Sequence, residues 1–186
     1  MTTIAFDGRY LAADGRSTQC GMITGSHVVK IFPFEMTLAG EVVQVVLAGA
    51  GTFSEINQVV GYFKTGADPL NFVEAGPDDP VFRKPFIEPG GTDMILIVKR
   101  GDGVDVMNVE ADLSPFTMHA PLTTGSGSPF ALTALQSFGQ NAVEAVYTAM
   151  DMDAGTGGHV LCFDTKAWDW IDADTLRSKK KRRARS

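Results

Sequence analysis

The order of apolar runs and turn signals predicts an α+β fold in which sheets pack together with helices outside them. Three observations carry this. Strand-like runs broken by glycine turns fill the first fifty residues, a capped helical stretch follows, and two further helical stretches precede a last buried strand. With 186 residues, 44% of them hydrophobic and 20% charged, the chain is of a size for one domain with a tail and can build a core.

Residues 2–6, 10–13, 28–32 and 42–47 are the first strands, separated by Asp7-Gly8, Asp14-Gly15 and Gly25-Ser26. Residues 42–47 show little alternation, as in a strand covered on both faces. A helix begins at Thr52, because Thr52-Phe53-Ser54-Glu55 has the form of a capping box and Phe53, Ile56, Val59, Val60 and Phe63 follow at helical spacing; Gly66 stops it. Five of the nine prolines, at 69, 77, 80, 85 and 89, mark a long loop or insertion. Residues 94–100, the turn Gly101-Asp102-Gly103 and residues 104–109 form a hairpin. Ser128-Pro129 opens a helix through Phe138, Asn141-Ala142-Val143-Glu144 opens another ending near Met150, and residues 159–163 give the final buried strand. Trp168 and Trp170 alternate on a last strand and are expected to pack.

Several classes are excluded. The longest apolar runs, 94–98 and 45–48, fall far short of the ~20 residues of a membrane span. The first residues lack the basic start and apolar stretch of a secretory signal, which points to the cytoplasm. Cys20 and Cys162 specify neither a disulfide scaffold nor a zinc site, and both are expected to be buried thiols. His27, His119 and His159 lack metal-ligand spacing, and no glycine cluster is followed by the Lys-Ser/Thr pair of a phosphate loop, so no metal or cofactor is expected. Seven of the 16 basic residues lie in the tail, 177–186, leaving 9 basic against 22 acidic residues in the body, a net charge of −13. Such a body repels phosphate backbones, so nucleic acid could be met only through the tail, which is expected to be disordered.

Six short segments are to be read together: Thr2-Thr3-Ile4-Ala5, Leu11-Ala12-Ala13-Asp14-Gly15-Arg16, Val28-Val29-Lys30-Ile31, Ala48-Gly49-Ala50-Gly51-Thr52, Gly125-Ser126-Gly127-Ser128 and Asp153-Ala154-Gly155-Thr156-Gly157-Gly158. In this order and spacing they resemble the N-terminal threonine hydrolases, the proteasome β-subunits and the bacterial HslV peptidase, from Thr2 to about Phe163 with 67–92 unmatched. The resemblance implies a four-layer α/β/β/α sandwich of the Ntn-hydrolase type, with residues 1–176 as the proteasome-like domain. It further implies Thr2 as nucleophile once Met1 is removed, with no propeptide to cleave. A threonine hydroxyl needs a base, and a neutral α-amine with a pKa of about 7.7 to 8.0 can supply it.

By the same resemblance Lys30 lies beside Thr2 and favours the neutral amine, Asp14 holds Lys30, and the Gly49 N–H binds the oxyanion. Ser126, Asp153 and Thr156 complete the polar set that positions the amine and a water. Val28 and Leu47 fall where the family shapes the substrate pocket, although ordinary core is an equally good reading of both.

The expected function is a threonine-type endopeptidase that cleaves unfolded polypeptide inside a self-assembled homo-oligomeric ring, with a separate ATP-dependent unfoldase as partner. The expected setting is the cytoplasm of a bacterium or of a phage-infected host cell. Two alternatives stay open: an inactive proteasome-fold scaffold or adaptor, and a small-molecule amidase. The divergent segment 67–92 replaces a helix that in the family contributes to subunit contacts, so ring size is left open.

Overall fold

A computed structural model describes residues 2–68 and 85–177 of the chain. These form two compact units, one built from the residues up to Ile31 and from His119 onward, the other from Phe32–Met118.

The first unit is a five-stranded sheet in the order β10-β1-β2-β11-β12, made of β1 (Ile4–Phe6), β2 (Tyr10–Ala13), β10 (Leu122–Thr124), β11 (Leu161–Asp164) and β12 (Asp169–Ile171), each pairing antiparallel with its neighbours. Asp7 makes the first turn: Oδ1 accepts the Arg9 and Tyr10 amides at 2.9 and 2.8 Å, and Gly8 takes φ +104°. α2 (Ser128–Phe138) and α3 (Ala142–Met152) pack on this sheet through a core dominated by alanine: Ala5, Ala12, Ala131, Ala134, Ala142, Ala145 and Ala149. Side chains this small let helix and strand backbones approach closely, and larger ones would cost about 1–3 kcal/mol each. α2 has Pro129 in its first turn and ends at Gly139 in the left-handed region, while Asn141 caps α3 by accepting the Glu144 amide at 2.9 Å. Past β11, Asp164 stops the strand by accepting Arg9 Nη2 at 2.7 Å and the Lys166 amide at 2.9 Å. Phe163 takes Trp168 and Trp170 edge-on, each at 5.5 Å, so both indoles pack. The short α4 (Ala173–Leu176) follows.

The second unit carries the sheet β5-β6-β7-β8-β9: β5 (Ile31–Leu38), β6 (Glu41–Ala50), β7 (Asp93–Arg100), β8 (Gly103–Val109) and β9 (Pro115–Met118). Pro33 and Pro115 sit on its two edge strands, where a missing amide breaks no ladder. α1 (Phe53–Lys64) lays Ile56, Val59, Val60 and Phe63 onto Leu38, Leu47, Leu96 and Val98.

The structure corrects several expectations. The strand expected at 28–32 begins only at Ile31, which leaves Lys30 just ahead of it. Thr52 does precede α1, but its side chain makes no cap bond; Glu55 instead accepts the Thr92 hydroxyl at 2.5 Å. Phe53 is 47% exposed. A separate hairpin, β3 (Ser17–Gln19) with β4 (Met22–Gly25), was not foreseen, nor were β9, β10 and α4. The β3–β4 loop is Cys20-Gly21 with φ +50° and +78°, so Cys20 is exposed rather than buried. Most of the proline-rich segment and, apart from Arg177, the basic tail lie outside the described residues. Among the described residues no helix is long and apolar enough to cross a membrane.

The two thiols differ sharply. Burial, with the Asp7 and Asp164 carboxylates nearby, pushes Cys162 up to about 12, so it holds its proton at neutral pH. Iodoacetamide at about pH 8 should therefore modify Cys20 alone in the native protein and both cysteines in denaturant, as read by intact mass. Modification of Cys162 at a native rate equal to that of Cys20 would contradict this burial.

Candidate active site

Asp14, at the end of β2, is 1% exposed, and both its oxygens are used. Oδ1 accepts the Thr3 amide at 2.8 Å and Lys30 Nζ at 2.7 Å; Oδ2 accepts the amides of Gly157 at 2.9 Å and Arg16 at 3.2 Å. Lys30 is 5% exposed and donates also to the Arg16 carbonyl at 2.7 Å. Burial drives the lysine below its ordinary range; the Asp14 charge and hydrogen bond oppose that, and the Arg16 cation adds to it.

A second polar chain starts one residue away. Asp153, at the C-terminal end of α3, accepts Ser126 Oγ at 2.8 Å and Thr156 Oγ1 at 2.6 Å, both on Oδ2, and the Gly155 amide on Oδ1 at 3.0 Å. Burial would raise this carboxyl, but the three hydrogen bonds together hold it below the usual carboxylate range. An ionised carboxylate can only accept, which fixes the direction of every other proton in the chain. Ser126, having given its proton to Asp153, accepts the Thr2 N–H at 3.2 Å. Thr156, having done the same, accepts the Thr3 hydroxyl at 2.6 Å. Thr2 and Thr3 are thus held from both sides, the Thr3 amide by Asp14 and the Thr2 nitrogen and Thr3 hydroxyl by the second chain.

Glycines make room for these contacts. A Cβ on Gly127 would lie 2.0 Å from Thr3 Oγ1 and 2.7 Å from Thr156 Oγ1, and one on Gly15 would lie 2.6 Å from the His159 carbonyl oxygen.

Of the residues singled out from sequence, Thr2, Asp14, Lys30, Ser126, Asp153 and Thr156 lie in the first unit within one hydrogen-bonded set. Gly49 and Leu47 belong to the second unit, in β6. Gly49 sits under α1, where a Cβ would lie 2.8 Å from Ile56 Cδ1, so helix packing alone already calls for glycine. Leu47 is 0% exposed, in the core under α1. Val28 is half-buried, its amide bound to the Gly15 carbonyl at 2.9 Å. Sequence reasoning missed Thr3, Arg16 and Gly157 as members of the site. The signals were present: a second hydroxyl beside Thr2, a cation two residues past Asp14, and one glycine more than a turn needs. Among the described residues no cluster of three or more His, Cys, Asp or Glu could hold a metal.

No protein-family model and no curated protein matches the chain. Solved structures do. BPH of Thiobacillus denitrificans in complex with epoxomicin is 19% identical, over 88% of this chain and 97% of that one, at a TM-score of 0.58. BPH without that ligand is 18% identical over 87% and 95%, at 0.55. Eukaryotic HslV from Trypanosoma brucei is 15% identical over 87% and 96%, at 0.51. The likeness is one of fold, and it supports a proteasome-like α/β architecture with antiparallel sheets.

Removing one member of a buried ion pair strands its partner, at a cost of about 3–5 kcal/mol. Asp14 retains three backbone donors without Lys30, whereas Lys30 without Asp14 retains one carbonyl. Asp14→Ala should therefore destabilise more than Lys30→Met in urea unfolding, and the reverse order would show that Asp14 is not the hub.

Proposed function

We propose that this chain is a threonine-type N-terminal nucleophile hydrolase that cleaves peptide bonds of unfolded polypeptide. One observation carries the reading: the Thr2–Thr3 peptide is held between a buried Lys30–Asp14 pair and the Ser126–Asp153–Thr156 chain. A surface strand end has no need of two such networks, whereas a nucleophile and base on one residue need both.

With Met1 removed, the Thr2 nitrogen becomes an α-amine. One of its N–H groups stays on Ser126 Oγ, which leaves the nitrogen lone pair for the Thr2 hydroxyl. The Lys30 cation disfavours a charge on that amine and stabilises negative charge on Thr2 Oγ. The Thr2 oxygen attacks the scissile carbonyl carbon as its proton passes to the amine. The tetrahedral oxyanion, for which Gly49 N–H is the proposed donor, collapses with cleavage of the C–N bond. The leaving nitrogen takes the proton from the α-amine, and an ester on Thr2 remains. Water then gives a proton to the amine and its oxygen to the ester carbon; that proton returns to Thr2 Oγ as the acid leaves.

In this reading residues 1–176 are one Ntn-hydrolase domain of four layers, α/β/β/α, and copies assemble into a ring that encloses the sites. A separate ATP-dependent unfoldase feeds it polypeptide. The neighbouring structure that carries epoxomicin supports the choice of probe.

Intact mass of the purified protein should show loss of Met1 and one epoxomicin adduct, absent in Thr2→Ala. Retained Met1 with no adduct would overturn the hydrolase and put the scaffold reading in its place. Light scattering should give a mass several times the 19.9 kDa chain; a monomer would remove the ring.

A further inference from the structure

We propose that Arg16 is a positioning residue of this site, a clamp whose guanidinium sets the loop 153–158 against the Asp14–Lys30 pair. The inference rests on the Thr2 reading above and adds to it a residue with no role there.

Arg16 touches both members of the pair through its backbone: its amide donates to Asp14 Oδ2 at 3.2 Å and its carbonyl accepts Lys30 Nζ at 2.7 Å. Its side chain then crosses to the loop, where Nη1 donates to the Ala154 carbonyl at 2.6 Å. The guanidinium lies flat on Gly157, since a Cβ there would stand 2.4 Å from Cζ and Nη2 and 2.7 Å from Nε. Gly157 in turn donates its amide to Asp14 Oδ2 at 2.9 Å, closing a ring of contacts that begins and ends on one carboxylate.

The two points where Arg16 grips the loop each follow an active group directly. Ala154 comes after Asp153, and Gly157 comes after Thr156. Holding 154 and 157 therefore fixes the two side chains that fix Ser126 and Thr3, and through them the Thr2 amine. A planar fork suits this seat, because one face can lie on a bare Cα while an edge donates to a carbonyl; a lysine can do only the second. The Arg16 charge also faces Lys30, the other charged group there being Asp14, with the proposed Thr2 amine beside them.

The test measures peptide turnover and the rate of epoxomicin addition on the full chain, with thermal melts to show that each variant folds. Arg16→Met and Gly157→Ala should each lower kcat by about 10²-fold with KM nearly unchanged, the scale of a misplaced catalytic group. Arg16→Lys should recover part of the loss. Arg16→Ala/Gly157→Ala should be no slower than Gly157→Ala alone, since a methyl that has already unseated the guanidinium leaves nothing further to lose. The alkaline limb of the rate profile should move to higher pH in Arg16→Met and stay in place in Arg16→Lys, which a purely structural role would not produce. Wild-type kinetics in Arg16→Met, or additive losses in the double variant, would overturn the clamp. Should Arg16→Met fail to fold, Gly157→Ala and the double variant decide. A wild-type chain that neither turns over peptide nor takes epoxomicin overturns the hydrolase reading itself, and this inference with it.

Discussion

A carboxylate that is 1% exposed has to be satisfied by donors the fold itself brings to it, and Asp14 draws four of them from Thr3, Arg16, Lys30 and Gly157. Leaving any of these unmade would cost a share of a burial penalty that runs to several kcal/mol per ion. The paths of the amino-terminal strand, the segment before β5 and the loop after α3 are therefore set by one side chain. Glycine follows from the same demand. At Gly15, Gly157 and Gly158 the three segments pass so closely that a Cβ would meet backbone oxygens or a guanidinium between 2.4 and 2.7 Å away.

The second carboxylate divides the work with the first. Asp14 holds the Thr3 amide and, through Lys30, fixes a cation near the start of the chain; Asp153 holds the Thr2 nitrogen and the Thr3 hydroxyl through one intervening hydroxyl each. Two adjacent residues thus have three of their polar atoms assigned, both backbone nitrogens and the Thr3 hydroxyl. Preorganisation of this kind is what lets a weak nucleophile and a weak base act together.

Much of this was legible in the sequence, and the reasons differ by residue. α1, α2 and α3 were plain because apolar spacing and Gly66 mark the first, and Ser128-Pro129 and Asn141 open the others. The β3–β4 hairpin was not, because Ser17–Gln19 has no apolar alternation and its turn is Cys20-Gly21 instead of Asn-Gly or Asp-Gly. Leu47 reads the same in a core as in a pocket, because a single apolar residue carries no sign of its neighbours. Asp14, Lys30, Ser126 and Asp153 were singled out because their spacing matched a pattern, and the fold brings them into one hydrogen-bonded set. Arg16 was missed because its role depends on a bare Cα 141 positions later, a relation no local window contains.

Burial disfavours the charge on half-buried Asp153 and on buried Lys30 alike, and the balance at each determines when the site carries both. At Asp153 burial works against ionisation, yet three hydrogen bonds outweigh it, so the carboxylate persists below the usual range and is lost only as pH falls through that lowered value. At Lys30 burial again works against the charge, and here Asp14 compensates only in part, so the ammonium gives up its proton sooner than an ordinary lysine as pH rises. The interval in which anion and cation coexist is therefore extended on the acid side and shortened on the alkaline side.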